Sequence, residues 1–202
     1  MTVQELRNKI EQLKGRRDQI QQQLEDTKKK LTADKEEQLR LEKAREIIRA
    51  VALKTEQQLQ VQISDITTLA LEAVYDDPYS LEVEFVQRRN KTECDLYFSR
   101  DKERVDPLSA AGGGAVNVAA FALRVASWAM QRPRSNNVLG LDEPFNNVST
   151  DLLPRVGEML KQVSNKLGLQ IIMVTHAPEL MEGADKTFVV QMRKGVTEVK
   201  ED

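Results

Sequence analysis

The chain has 202 residues, of which 31% are charged and 4% aromatic, and its formal net charge is -2. This length predicts one or two domains with a real core, and the charged composition favours long exposed helices beside a modest globular part. The charge balance excludes a strongly basic nucleic-acid binder, and the single cysteine excludes a disulfide framework. The lack of any apolar run of about 18 residues excludes a membrane-spanning helix. We therefore expect a cytoplasmic protein.

Residues 1–76 are predicted to form one long coiled-coil helix, because the segment lacks proline and contains a single glycine, Gly15. Its apolar residues follow the alternating four- and three-residue spacing of a heptad seam. The seam consists of Leu6, Ile10, Leu13, Ile20, Leu24, Leu31, Leu41, Ile48, Leu59, Ile66 and Leu69. It is interrupted by Arg17, Thr27, Asp34, Gln38 and Arg45, so we expect loose pairing in the middle. The stripe predicts a partner helix, and the alternative is a single helix packed on the globular part.

The helix is expected to end at Asp76-Asp77-Pro78, since the residue before a proline is disfavoured in the α conformation. A β-hairpin should follow, with the turn at 88–91. Its strands alternate apolar and polar residues, and the apolar ones are Leu81, Val83, Phe85, Cys94, Leu96 and Phe98. We expect Cys94 to be a small core residue rather than a nucleophile.

The remaining sequence alternates helices with strands. We expect a loop at Pro107–Gly114, a mostly buried helix at 115–130, a buried strand at Val138–Leu141, a helix at Asp151–Leu167 closed by Gly168, and buried strands at Leu169–Val174 and Lys186–Gln191. This order predicts an α/β layer with a partly parallel sheet. The predicted domains are therefore the helix at 1–76 and an α/β domain at 77–202.

Polar residues follow two of the predicted buried strands. Asp142 and Glu143 come directly after the first, and His176, the only histidine, follows the second. Because ligands bind at the carboxyl ends of strands in open α/β sheets, these side chains should meet at one rim. There Asp142 can hold a hydrated Mg²⁺, Glu143 can orient or deprotonate a water, and His176 can contact a terminal phosphate. Acidic turn residues and a structural histidine are the alternatives.

Three consecutive glycines, Gly112, Gly113 and Gly114, precede the predicted helix at 115–130. Glycines at the start of a helix let backbone N–H groups approach an anion, and the helix dipole favours negative charge there. A glycine-rich start to a tightly packed helix explains the same residues equally well.

In this order the three features resemble the C-terminal half of an ABC-type ATPase head. With the long helix before them, they are similar to SMC-type ATPases, nearest the SbcC-like branch that works with a nuclease in break repair and recombination. The resemblance covers residues 78–200. It implies an ABC signature motif at Gly112–Gly114, a Walker B motif at Val138–Asp142 and a D-loop at Phe145–Ser149.

The resemblance also implies ATP and Mg²⁺ as cofactors. Asp142 would be the metal ligand, and Glu143 and His176 the catalytic residues. Nucleotide contacts would come from Ser109, Gly112, Gly113, Gly114, Asn147 and Ser149. Alignment on the following helix places Gly112 where the family's signature serine stands, whereas alignment on Leu108-Ser109 supplies the serine after an insertion, and both stay open. Ser149 replaces the aspartate that usually ends the D-loop.

No GxxxxGK[ST] phosphate loop occurs in the sequence. In the resembling family this loop lies in the N-terminal half, beyond the coiled coil. The chain is therefore expected to be half of a head, a split subunit or a truncated product, completed by a P-loop-bearing N-terminal half on another chain. The family further implies a dimer of heads, a nuclease subunit and DNA. Basic residues that suit DNA, or merely a solvated surface, are Arg88, Arg89, Lys91, Arg132 and Arg134.

Three other interpretations stay open from the sequence. One is a transporter-type or translation-type ABC ATPase, and the second is a non-catalytic coiled-coil interaction protein with a degenerate head. The third is a complete ATPase with an unconventional phosphate loop.

Overall fold

The computed structural model describes residues 2–89, 91–193 and 195–201. They fall into two compact units, with the division between Thr55 and Glu56. The first unit is part of helix α1, which runs from Val3 to Val74. All side chains of residues 3–55 are exposed, including the whole apolar seam within that range. The long N-terminal helix is thus confirmed, with its seam open.

The second unit begins with the last turns of α1, which supply a buried face of Thr67, Leu71 and Val74. Two hydroxyls fix this helix to the sheet. The Ser64 hydroxyl donates to the Leu81 carbonyl, and Thr68 Oγ1 accepts from the Leu81 N–H at 3.0 Å. The expected hairpin therefore starts on the surface of the helix that precedes it.

Three antiparallel strands form the first sheet, β1 (Ser80–Arg88), β2 (Lys91–Arg100) and β3 (Glu103–Val105). The predicted hairpin is present, β3 was not predicted, and Asn90 of the expected turn lies outside the described residues. One prediction is wrong, because Cys94 is exposed. It pairs with Phe85 on the apolar face, but it lies towards the hairpin tip, beyond the buried Leu81–Phe98 pair.

Residues 107–114 are not one continuous loop, as the sequence had suggested. They contain a short helix, α2 (Pro107–Ala110), whose first N–H groups are capped by the Asp106 carboxylate. The long buried helix α3 (Gly113–Met130) begins before the predicted start at residue 115. Aspartate followed by proline is a typical helix start, and this signal was overlooked.

A parallel pair forms the second sheet, with β4 at Val138–Asp142 and β5 at Gln170–Val174. Helix α4 (Leu153–Leu167) connects them and ends at Gly168, whose positive φ of 61° suits a glycine. Residues of α4 share one core with Leu141 and Leu169. The strands are not buried on both faces as predicted, since Ile172 and Val174 are 56% and 59% exposed. A two-stranded sheet with helices on one side leaves the other face open.

The third sheet is an antiparallel hairpin of β6 (Phe188–Arg193) and β7 (Val196–Glu201). Strand β6 was expected at 186–191 and as a buried strand, whereas its residues Phe188, Val190 and Met192 are exposed. The partly parallel sheet is therefore present but small, and the mixed α/β class is confirmed. Within the described part of the chain, no helix is long and apolar enough to cross a membrane.

Candidate functional site

The parallel register of β4 and β5 brings the loops that follow the two strands together. Asp142 pairs with Val174 at the ends of the strands. The N–H of Glu143 then donates to the Val174 carbonyl at 3.0 Å, which extends the contact by one residue. As a result, Oε1 of Glu143 lies 3.6 Å from Nε2 of His176. Both side chains thus lie on the rim where α/β sheets bind ligands.

Glu143 has an unusual backbone conformation, with a positive φ of 43° immediately before Pro144. The left-handed region disfavours residues other than glycine, asparagine and aspartate. Other residues that adopt it cluster at functional sites. The hydrogen bond to Val174 holds the peptide in place from the neighbouring strand. The direction of the Glu143 carboxylate is therefore set by tertiary contacts.

One oxygen of the Glu143 carboxylate lacks a hydrogen-bond partner. Oε1 is shielded from solvent and accepts no hydrogen bond within the described structure, although the side chain as a whole is 32% exposed. Leaving a buried acceptor unpaired costs about 1–3 kcal/mol, so such an atom calls for an explanation. His176, whose side chain is 97% exposed, lies just beyond hydrogen-bond distance. Glu143 and His176 thus lie side by side without a direct hydrogen bond, and the exposed imidazole is open to a ligand.

Asp142 lies beside this pair, exposed at the end of β4. No cluster of three or more histidine, cysteine, aspartate or glutamate side chains suited to a metal occurs in the described ranges. Mg²⁺ usually keeps several waters and takes one or two carboxylates plus substrate phosphates, so a single exposed carboxylate is compatible with it. Asp142 therefore suits the role of a single carboxylate ligand.

The glycine segment forms a second cluster with the D-loop residues. Gly112 is the N-cap residue of α3 and makes no side-chain cap. A Cβ on Gly113 would lie 3.0 Å from Asn147 Cβ, and a Cβ on Gly114 would lie 2.9 Å from both the Asn147 carbonyl and the Tyr75 hydroxyl. Close packing therefore explains Gly114. Gly112 and Gly113 are exposed, so a role in nucleotide contact stays compatible with their positions.

Two further predicted nucleotide contacts lie on the surface near these elements. Ser109 lies in α2, where its N–H donates to Asp106 at 3.1 Å. Ser149 is exposed and precedes a 3-10 turn at Thr150–Leu152. Both hydroxyls can be reached by a ligand from outside.

Sequence reasoning missed Tyr75 and Asn117 as neighbours of the glycine segment and the D-loop. Asn117 donates to the Asn146 side chain at 3.0 Å, which ties α3 to the segment after β4. An asparagine one helical turn after the glycines was a usable signal. Tyr75 gave none, because its contact with Gly114 exists only in the folded chain.

Several of the basic residues considered for DNA are engaged within the protein. Arg88 forms ion pairs with Asp95 at 2.6 Å and Glu93 at 3.2 Å. Arg132 donates to the carbonyls of Ala129 and Gln131. These contacts favour a surface role for both arginines over phosphate binding.

A protein-family model matches part of the chain. Residues 118–182 match the model described as "AAA domain, putative AbiEii toxin, Type IV TA system", which covers about a third of the chain and includes Glu143 and His176. Comparison with curated proteins gives no match.

Solved structures of SMC heads are similar in fold. A structure described as "Structural biochemistry of ATP-driven dimerization and DNA stimulated activation of SMC ATPases" has a TM-score of 0.57 and 19% identity over 73% of this chain and 88% of its own. The structure of the SmcHead bound to the C-winged helix domain of ScpA has a TM-score of 0.58 and 19% sequence identity, covering 76% of this chain and 44% of its own. The Smc head domain with a coiled coil and joint from Pyrococcus yayanosii has a TM-score of 0.57 and 21% sequence identity, covering 75% of this chain and 28% of its own.

These likenesses establish a mixed α/β fold of the SMC-head kind behind a long N-terminal helix. The chain spans less than half the length of the second and third structures. What those proteins bind is a property of those proteins, and the chemistry of this chain has to be argued from its own residues.

Proposed function

We propose that this chain is one half of an SMC-type ATPase head and takes part in ATP hydrolysis when a P-loop-bearing half completes the site. The unpaired Glu143 Oε1, facing His176 at the end of two parallel strands, is the observation on which this proposal depends. The Glu143 carboxylate is partly exposed at this rim, so it can accept a proton from a water that the substrate positions.

Each rim residue has a separate role in this proposal. Glu143 accepts a hydrogen bond and then the proton of the attacking water, while the water oxygen forms a bond to the terminal phosphorus and the bond to the bridging oxygen breaks. His176 donates to a terminal phosphate oxygen and so keeps the phosphate in line with the water. Asp142 would hold Mg²⁺, which when bound neutralises charge on the phosphates.

An open sheet face supports the need for a second half. In the described residues β5 pairs with β4 alone and β6 with β7 alone, so all four are edge strands. The open face of the β4–β5 sheet exposes Val138, Ile172 and Val174, and strand β6 of the separate third sheet exposes Phe188, Val190 and Met192. Exposed apolar edges of this kind are normally covered, because they otherwise associate non-specifically. A P-loop-bearing segment that packs on the open face of the β4–β5 sheet would cover these side chains there and supply the missing phosphate contacts.

The remaining parts of the proposal follow from the family resemblance. Two completed heads would dimerise around ATP, with the Gly112–Gly114 segment of one closing over the nucleotide of the other. Further contacts to the nucleotide would come from the exposed side chains of Ser109, Asn147 and Ser149. We further propose a role in DNA repair or recombination, in which nucleotide binding joins the heads and hydrolysis releases them.

Complementation tests this function. The chain is co-expressed with the P-loop-bearing half of an SMC-type head, and copurification and ATP turnover are measured. Ile172→Lys on the open sheet face should abolish both, whereas Val61→Lys, an equally exposed β-branched residue on α1, should change neither. Turnover by the chain alone would contradict the half-head proposal. A stable complex with no turnover would favour the non-catalytic interaction protein.

A further inference from the structure

The end of helix α1 contacts the glycine segment of the candidate site. Tyr75 is the first residue after α1, and its N–H donates to the Leu71 carbonyl at 2.9 Å, so it continues the helix by one hydrogen bond. A Cβ on Gly114, the second residue of α3, would lie 2.9 Å from the Tyr75 hydroxyl oxygen. The phenol oxygen therefore occupies space beside Gly114 that is open only because glycine has no side chain.

Tyr75 is held in place by contacts of the residues on either side of it. Arg155 of α4 donates from Nη1 to the Val74 carbonyl at 3.2 Å and to Oδ1 of Asp76 at 2.7 Å. Val74 is fully buried in the core. The backbone of Tyr75 is thus fixed against α4, while its side chain reaches the start of α3.

The D-loop contacts the same glycines. A Cβ on Gly113 would lie 3.0 Å from Asn147 Cβ. A Cβ on Gly114 would lie 2.9 Å from the Asn147 carbonyl and 3.2 Å from the Cα of Val148. Gly114 therefore lies among the Tyr75 hydroxyl and the backbone of two D-loop residues.

Three consecutive glycines need such contacts if their backbone is to bind a ligand. Glycine adopts a wider range of backbone conformations than other residues. The N–H groups of Ala115 and Val116 bond to the Gly112 carbonyl at 3.0 and 3.4 Å, whereas those of Gly113 and Gly114 come first in the helix and have no intrahelical partner. Donors that are already fixed bind a charge better than donors that must first be ordered. Contacts that hold these glycines therefore favour an anion at this end of α3.

The hydroxyl of Tyr75, rather than its ring, makes the contact with Gly114. The side chain is partly buried, and this burial raises the pKa of the phenol above its ordinary value. The group therefore stays neutral at physiological pH and brings no negative charge to the glycines. A phenylalanine would supply the same ring but would leave the space beside Gly114 empty.

We infer that Tyr75 is a positioning residue that holds the Gly113–Gly114 backbone in the conformation that contacts nucleotide. This inference rests on the proposed function, in which the glycine segment of one head closes over the nucleotide of another. Tyr75 acts through the glycines and does not itself touch the nucleotide.

Removal of one oxygen atom tests this role. The full chain carrying Tyr75→Phe is complemented with a P-loop-bearing half, and ATP turnover and nucleotide-dependent head association are measured. Both should fall at least about fivefold, because misplacing a contact group weakens the joined state. The affinity of a single completed head for ATP should not change, since the glycines contact nucleotide only after two heads join. Tyr79→Phe is the matched control, because Tyr79 contacts Phe98 and Arg100 through its ring, and it should behave as the parent chain.

A purely structural role for Tyr75 would give a different pattern. If Tyr75→Phe lowered the free energy of unfolding but left turnover and association per folded complex at parent values, the inference would be overturned and the proposed ATPase would stand. If the parent complex itself showed neither turnover nor association, the ATPase proposal would fail and this inference with it.

A double-mutant cycle in the chain alone tests the contact without a partner. Gly114→Ala places a Cβ against both the Tyr75 oxygen and the Asn147 carbonyl, so Tyr75→Phe relieves one of the two close approaches. The loss of stability that Gly114→Ala causes in urea denaturation should therefore be smaller in the Tyr75→Phe background than in the parent chain. The Tyr79→Phe background should leave that loss unchanged. Equal losses in the Tyr75→Phe and parent backgrounds would show that Tyr75 does not hold Gly114 and would overturn the inference, whatever the ATPase measurements show.

Discussion

Oε1 of Glu143 lies 3.6 Å from Nε2 of His176, although the two residues follow different strands and have a whole helix between them in sequence. The parallel β4–β5 register creates this proximity, and the Glu143 N–H bond to the Val174 carbonyl maintains it. The separation is slightly too long for a direct hydrogen bond, so the two side chains lie beside each other at the rim without bonding. The ATPase function that we propose for this chain depends on that relationship.

Gly114 should not tolerate a side chain. Gly114→Ala would bring Cβ to 2.9 Å from the Asn147 carbonyl, a backbone atom that cannot move aside alone. We expect the free energy of unfolding to fall by about 1–3 kcal/mol, as for other overpacked sites, when measured by urea denaturation. Gly112→Ala is the control, since nothing lies within 4 Å of its Cβ position. Equal losses in both variants would show that packing against the D-loop is not the cause.

Thr67 offers a stabilising substitution. Its side chain is fully buried in the last turns of α1, and its hydroxyl has no hydrogen-bond partner within the described structure. Thr67→Val keeps the shape and removes the unpaired group, so we expect the free energy of unfolding to rise by about 1 kcal/mol. Thr67→Ala removes the same hydroxyl together with a packed methyl group and should be less stable than Thr67→Val. A destabilised valine variant would show that the hydroxyl is paired in solution.

The Arg88–Asp95 pair predicts part of the acid sensitivity. Hydrogen bonding to Arg88 lowers the pKa of Asp95 below the usual carboxyl value. Because the folded pKa lies below the unfolded one, the pair stabilises the fold above the unfolded pKa, about 4, and that contribution is lost as pH falls through the folded pKa.

Arg88→Ala should therefore raise the pKa of Asp95 in an NMR titration. It should also reduce the difference in stability between neutral and acidic pH. Arg89→Ala, at the next residue, is the control and should leave the Asp95 titration as it is in the parent chain. An unchanged Asp95 pKa in Arg88→Ala would mean that another group holds the carboxylate.

Local patterns in the sequence predicted most of the individual elements. The heptad spacing and lack of proline predicted α1, alternating residues predicted the β1–β2 hairpin, and Gly168 predicted the end of α4. The prediction that Glu143 and His176 lie on one rim rested on the alternation of strands and helices, because each residue follows one of two strands expected to be parallel. These features depend on neighbours in sequence, which is why they could be found.

Features set by tertiary context were not predictable in the same way. Apolar strands such as β5 indicated burial on both faces, but among the described residues only one face of the strand is covered. Cys94 has the right alternation for a core residue and lies beyond the edge of the core. The approach of Tyr75 to Gly114, and the left-handed conformation of Glu143, arise only after the second unit has folded.

The most direct test of the proposed mechanism is ATP turnover by the complemented complex carrying Glu143→Gln. The amide keeps the shape of the side chain but cannot take up the water's proton, so we expect turnover to fall by about 10²–10⁴-fold while nucleotide-dependent head association persists. Glu179→Gln, on the 3-10 turn after His176, is the control and should turn over ATP at the parent rate. Undiminished turnover in Glu143→Gln would contradict the account.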